Sequence, residues 1–426
     1  MPIFPRLSRF ARPAAALLSA AAFFAARPAA ATDSRYREFV VGERSAGMGG
    51  ATLAIARDVD AIYANPAGLA ASQHDSISLS ANLYGLESYS VRNGLAHGDD
   101  ASSSSFVTVP SAMGGVLRLS PDWVAGFGIF TPKQEQSHIV ASREGNSRFY
   151  NLSASDQTMR IGPAIAWHPA ASRLSVGAAL FGVYRDISEN QSRYVAGQYN
   201  VNLAAELKTI GLLASLGARL DLGSGWTLGA NVQSPNLRVH DEGKISVNVF
   251  GHDPGAELAV YSSSVDADNR IPWQLALGIG RESPGRWAFA LDTLYHPSTS
   301  YALASWVLDD TQARQTLHLH SVLDVSLGGE IVFAERYPVR AGVYTAFSAA
   351  RVPTDPASTE LATSDVDMYG VTFSVGRRKD HVSVNLGFDY AFGHGHDLGL
   401  SDNDEQVPSP CNREVFLCSL STVYHF

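Results

Sequence analysis

Segment after segment of this 426-residue chain alternates apolar and polar residues, and no run of 18 or more apolar residues follows position 31. A period of two is the side-chain repeat of a β-strand, whose successive residues face opposite sides. In His381 to Tyr390, Val382, Val384, Leu386, Phe388 and Tyr390 share one face. His381, Ser383, Asn385, Gly387 and Asp389 share the other. Likewise Ile271, Trp273, Leu275, Leu277 and Ile279 oppose Pro272, Gln274, Ala276, Gly278 and Gly280, and Trp287, Phe289, Leu291 and Tyr295 oppose Arg286, Ala288, Ala290 and Asp292. A soluble β-sandwich also alternates. It gives no reason, however, for Trp and Tyr to gather at strand ends, as Trp123, Trp226, Trp273, Trp287, Tyr295, Tyr390 and Tyr424 do. A bilayer does, because amphipathic rings settle at its two interfaces. The pattern predicts an all-β transmembrane barrel.

The connections set the strand count. Short turns fall near Ser120-Pro121-Asp122, Pro169 to Ser172, Gly223-Ser224-Gly225, Ser283-Pro284-Gly285, Glu335-Arg336-Tyr337 and Arg378-Lys379-Asp380. Longer polar stretches lie near 91–105, 132–147, 187–202, 235–258, 298–315, 350–363 and 393–414. Short and long connections alternate, as periplasmic turns and external loops do in outer-membrane barrels. Seven long and six short connections join 14 antiparallel strands, with both ends of the sheet on the short-turn side. Within 235–258, Lys244 to Phe250 also alternates and could extend a strand.

Residues 1–31 read as a secretory leader. Arg6, Arg9 and Arg12 precede an apolar run from Ala14 to Ala26, and Ala29-Ala30-Ala31 supplies a small-residue cleavage site. The formal charge is −9, and removing a leader with four Arg and no acid makes the remainder more acidic still. That disfavours nucleic-acid partners, which require a basic stripe against phosphates. Export places the two cysteines, Cys411 and Cys418, on an oxidising route, so a local disulfide between them is expected in the last external loop.

Between the leader and the first strand lies Val41 to Ala70, rich in Gly and Ala and ending in Asn65-Pro66-Ala67-Gly68. Gly47, Gly49 and Gly50 allow close backbone packing and positive φ. Pro66 lacks an amide donor and ends any helix before it. Gly47, Gly49, Gly50, Asp58, Tyr63 and Asn65-Pro66-Ala67 together resemble the N-terminal hatch of the FadL/TodX-like outer-membrane transporters of long-chain fatty acids and other hydrophobic molecules. The resemblance implies a hatch over 32–74 inside the lumen of a barrel over 75–426, gated through the residues just named. It also motivates a kink at Gly126 and Gly128 in the third strand, with Pro132 beyond, opening a lateral gap. The terminal Phe426, with Tyr424 two residues back, looks like the signature that barrel-assembly machinery reads.

These features predict a bacterial outer-membrane channel, not an enzyme, for passive uptake of a hydrophobic small molecule such as a fatty acid or aromatic hydrocarbon, with membrane lipid around it. The alternative is a barrel of the same shape that binds a protein partner in secretion or structure; a general porin is a third reading, which a filled lumen opposes. The glycines of 47–50 lie in no βαβ unit and form no nucleotide fingerprint. No Gly-x-Ser-x-Gly nucleophile motif occurs. His394, His396 and Asp397 read as a solvated loop tip, so neither metal nor cofactor is expected.

Overall fold

The computed structural model describes residues 34–94, 99–142, 148–195, 199–251, 259–308, 311–351, 364–400 and 406–426; the expected leader lies outside them. Nineteen strand segments are present among the described residues. β1 (Ser76–Val91), β2 (Ala101–Arg118), β3 (Trp123–Ser142), β4 (Arg148–Trp167), β5 (Leu174–Val195) and β6 (Tyr199–Gly223) run as long hairpins. β7 (Trp226–Gln233) and β8 (Leu237–Gly251) then pair with the lower and upper halves of β6 in turn. They are one strand broken at Ser234-Pro235, where proline removes a ladder donor. The returning strand is broken too, into β9 (Ala259–Ser264), β10 (Asp266–Ala267) and β11 (Gln274–Ser283). β12 (Trp287–His296) continues into β13 (Thr299–Leu308), and β14 (Thr311–Leu319) into β15 (Val322–Phe333). β16 (Tyr337–Ala346), β17 (Asp365–Lys379), β18 (Val382–Leu400) and β19 (Gln406–His425) complete the ring.

β1 pairs with β19, and β5 with β6, so the antiparallel sheet closes into a 14-stranded barrel with no free edge around the ring. All six short turns fall where the sequence places them. The long connections do not behave as expected. β3 and β4 continue to Ser142 and from Arg148, β5 runs to Val195, β8 fills most of 235–258, and β13 and β14 form a hairpin through 298–315. In these stretches the outward residues, such as Asn190, Glu206 and Lys244, turn polar, but backbone pairing does not require an apolar outer face.

Facing is as the alternation demands. Val384, Leu386, Phe388, Tyr390 and Phe392 point out, while Ser383, Asn385, Asp389 and Ala391 are buried inside. Trp287, Phe289 and Leu291 face out, against Ala288, Ala290 and Asp292 within. A closed sheet satisfies its own backbone groups, so an apolar outer face can meet lipid.

The cysteines correct an expectation. Both lie on β19, seven residues apart along one strand, with Cys411 facing in and Cys418 out; both thiols are free. At a rise of about 3.3 Å per residue their Cα atoms are ~23 Å apart, far beyond the roughly 7 Å limit for a disulfide. The polar residues of this stretch carry no strand signal, although its backbone is paired throughout β19.

Candidate functional site

The segment ahead of β1 packs inside the barrel. It begins as an irregular strap, residues 34–41. Two short helices follow, α1 (Glu43–Gly47) and α2 (Asp58–Ala64), then a 3-10 turn over Pro66–Ala71. Such short helices are marginal alone and are held by burial and capping. Val59, Ala61, Ile62 and Leu69 bury against inward residues of the β2–β6 wall, including Val116, Val124, Phe130, Phe181 and Leu213. Met48, Ala51, Ala54 and Ile55 pack on Ala288 and Ala290 across the lumen.

Each residue of the Gly/Ala-rich motif has a place. Gly49, at φ 63°, donates its N–H to Thr372 Oγ1 at 2.8 Å, and a Cβ there would lie 2.9 Å from the Val343 backbone. Gly50 is also at positive φ, and a Cβ on Gly47 would overlap Ser374 Oγ. Asn65 is fully buried. Its Nδ2 donates to Leu53 O and to Ala218 O on β6, both at 3.0 Å, and its Oδ1 accepts from Ala67 N at 3.2 Å. Pro66 opens the 3-10 turn, where its missing donor is harmless. Asp58 sits at φ 54° and donates its amide to Ser72 Oγ at 2.9 Å. Tyr63 lies 5.3 Å from the Phe130 ring and beneath the Arg160 guanidinium.

Asp60 belongs to no motif in the sequence, yet it organises the segment. Its carboxylate accepts the amides of Glu43, Arg44 and Ser45 at 2.8–3.0 Å and so caps α1. Burial pushes its pKa up, against the lowering effect of the hydrogen bonds from Ser45, Glu43 and Arg44. Charged side chains then fasten the segment to the wall. Arg44 reaches Glu330 at 3.2 Å and Glu282 at 3.4 Å, Arg57 reaches Glu282 at 2.7 Å, and Arg340 bridges Glu330 and Asn385. Asn385 also donates to Glu43. Burial raises the Glu43 pKa to about 7 despite the opposing charge of Arg340. Wall glycines, too, lie outside the motif. A Cβ at Gly342 or Gly328 would overlap the Met48 backbone, and one at Gly177 would overlap that of Pro66. Alternation shows which wall residues face in, but not which of them the N-terminal backbone touches.

Above α1, Tyr36 of the strap stacks on His296 at 4.3 Å, and Arg37 donates to Thr345 O at 2.7 Å and lies over the Tyr344 ring. Arg413 joins three strands to the strap through Glu38 at 3.3 Å, Glu87 at 2.7 Å and Glu135 at 3.3 Å. Beneath the strap is a cavity of about 70 Å³, lined by Phe39, Val41, Leu53, Tyr63 and Leu294 with Arg160, Gln233 and His296. Arg160 Nε and His296 Nδ1 are buried there without a hydrogen-bond partner. Beyond the strap the inward face turns apolar: Ile187, Val201, Leu203, Leu207, Ile245, Tyr301, Leu303 and Leu317 form one buried cluster. At the short-turn end, a second cavity of about 500 Å³ is lined by Glu43, Arg44, Arg57, Asp58, His74, Arg378 and His425 among others.

The third strand corrects a second expectation. Gly126 and Gly128 pair regularly with Val116 and Gly114, and Gly126 leaves room for Ile62 of α2, whose Cδ1 a Cβ would approach to 2.8 Å. The irregularity lies further along. Among the described residues the β2–β3 ladder ends at Ala112↔Phe130, and β3 slips on β4 between Phe130 and Lys133, at Thr131-Pro132. Above that point, side-chain bonds join the two strands among the described residues, from Ser105 Oγ to Gln136 O and from His138 N to Ser103 Oγ, both at 3.2 Å. Tyr424 and Phe426 face outward, ring centroids 4.9 Å apart, and the Phe426 amide donates to Asp75 O.

No protein-family model matches the chain, and no curated protein matches it by sequence. Solved structures do match its fold. A FadL homologue of Pseudomonas aeruginosa is 14% identical, with a TM-score of 0.68 over 92% of this chain and 100% of that one. The toluene transporter TodX of Pseudomonas putida is 17% identical, with a TM-score of 0.68 over 92% and 100%. The toluene transporter TbuX of Ralstonia pickettii is 15% identical, with a TM-score of 0.61 over 90% and 98%. The chain therefore has the fold of the FadL/TodX-like barrels.

Proposed function

We propose that this barrel is an outer-membrane channel for passive uptake of hydrophobic molecules, with residues 34–72 as its hatch. The observation that carries the reading is the inward-facing apolar cluster around Leu203, Ile245 and Leu303. A porin lumen that conducts water and ions is polar. An apolar lining instead favours a molecule leaving water by roughly 25 cal/mol per Å² of apolar surface buried. The transport roles of the similar structures agree with it.

Within that reading, the cavity under the strap favours a fatty acid over a neutral hydrocarbon. Phe39, Leu53 and Leu294 suit an aliphatic body, and the unpartnered Arg160 Nε suits a carboxylate. At about 70 Å³ it is well below the roughly 300–1,000 Å³ of a ligand pocket. A ligand therefore enters by displacing the strap. The interrupted β2–β3 ladder is the lateral exit, and Pro132, unable to donate, keeps it unpaired. Tyr424 and Phe426 serve assembly. Uptake of radiolabelled oleate and toluene by a strain lacking the gene, with and without the gene restored, tests the function. The gene should raise oleate uptake, and Arg160→Met should abolish that gain. Equal uptake of every hydrophobic compound with and without the gene refutes the proposal.

A further inference from the structure

We propose that Trp226, Arg281 and Trp287 form a binding site for the phosphate of a glycerophospholipid, on the outer face of the barrel at its short-turn rim. The three residues sit on neighbouring strands β7, β11 and β12. Arg281 is the cross-strand partner of Trp226, and Trp287 begins the strand on the other side. The guanidinium carbon lies 5.3 Å from the Trp226 ring centroid and 5.6 Å from that of Trp287, so the cation is held between two indoles. All three share the face that carries Leu228, Leu277 and Phe289, which are exposed.

A charge on that face needs a partner. Among the described residues no carboxylate pairs with Arg281, and its one hydrogen bond runs from Nε to Ser224 O at 3.4 Å. The neighbouring Glu282 points into the lumen, where it meets Arg57 and Arg44. An unpaired cation facing lipid is costly at hydrocarbon depth and favourable at the interface, where lipid phosphates lie. Arg281 sits at that level, two residues before the Ser283-Pro284-Gly285 turn and against the Ser224-Gly225 turn. The two indoles flank the guanidinium, and among the described residues its terminal nitrogens make no hydrogen bond, which leaves an N–H fork that matches a phosphodiester bidentately. Arg377 on β17 also faces outward and is more exposed than Arg281, but has no aromatic pair about it among the described residues.

The test titrates delipidated, detergent-solubilised protein with phosphatidylglycerol and counts bound lipid by native mass spectrometry. Wild type should retain one lipid that Arg281→Gln binds about tenfold more weakly or worse. Arg281→Lys, which keeps the charge and loses the fork, should fall between them, and Arg377→Gln should match wild type. Heat-modifiable migration checks that each variant is folded. If Arg281→Gln does not assemble, Trp226→Leu and Trp287→Leu, which retain the cation, should each weaken lipid binding in a folded barrel. Equal lipid binding by wild type and Arg281→Gln overturns the proposal, as does an equal loss in Arg377→Gln. Displacement of the lipid by inorganic phosphate at similar concentration would assign a free-anion site instead, and would also overturn it.

Discussion

Replacing Asn65 with Ala removes three hydrogen bonds at a fully buried point. Two of them, to Leu53 O and from Ala67 N, fold the N-terminal segment on itself, and the third, to Ala218 O, ties it to β6. Leu53 O and the Ala67 amide lose these partners in a buried setting, while Ala218 O keeps its place in the β6 ladder and loses only the tie to the segment. Net loss for such a set is roughly 2–4 kcal/mol, or about 30- to 1,000-fold more of the undocked segment. The barrel should be spared, because its backbone bonds close within the sheet. Hydrogen–deuterium exchange on the purified protein reads both parts at once. Peptides within 53–71 should exchange faster by that factor, while peptides from β17 to β19 keep their wild-type rates. Asn65→Asp should be at least as damaging, since it retains the acceptor for Ala67 but turns a carboxylate oxygen toward two carbonyls. Unchanged exchange in 53–71 would refute the assigned role of these bonds. Equal acceleration throughout would show segment and barrel to be one cooperative unit.

The Glu43 carboxyl, raised from 4.5 to about 7 by burial, binds its proton more tightly in the docked state. Its contribution to docking is therefore fully present below pH ~4.5 and declines as pH rises through 7. Protease sensitivity of the segment should increase from pH 5 to pH 8, and Glu43→Gln should flatten the profile; a rise that survives the substitution contradicts this. Gly342→Ala places a Cβ into the Met48 backbone, so it should dislodge α1 and raise planar-bilayer conductance in a barrel that remains heat-modifiable. Wild-type conductance would mean that the contact relaxes at little cost. Unfolded, unreduced protein should show two reactive thiols, Cys411 and Cys418, and one unreactive pair would contradict their placement along β19.

The sequence alone determined the closed sheet, its outward face and its six short turns. Each follows from local rules: side chains alternate along a strand, aromatic rings prefer interfaces, and Gly, Pro, Asp and Ser make tight turns. Asn65-Pro66 and the glycines at 47–50 were legible for the same reason, since their backbone demands are written in their residue types. What lay beyond local rules was decided by tertiary structure. Asp60 reads as one more acid on a short helix until folding brings α1 beneath it. Gly328 and Gly342 read as ordinary inward residues until the Met48 backbone lies against them. β18 beyond residue 393 and β19 up to residue 414 carry no apolar period, so Cys411 reads as a loop residue and its separation from Cys418 along one strand is hidden. The interruption at Thr131-Pro132, rather than at Gly126 and Gly128, depends on which neighbouring strand β3 stays paired with. Register across strands is a property of two segments at once, and a single segment does not encode it.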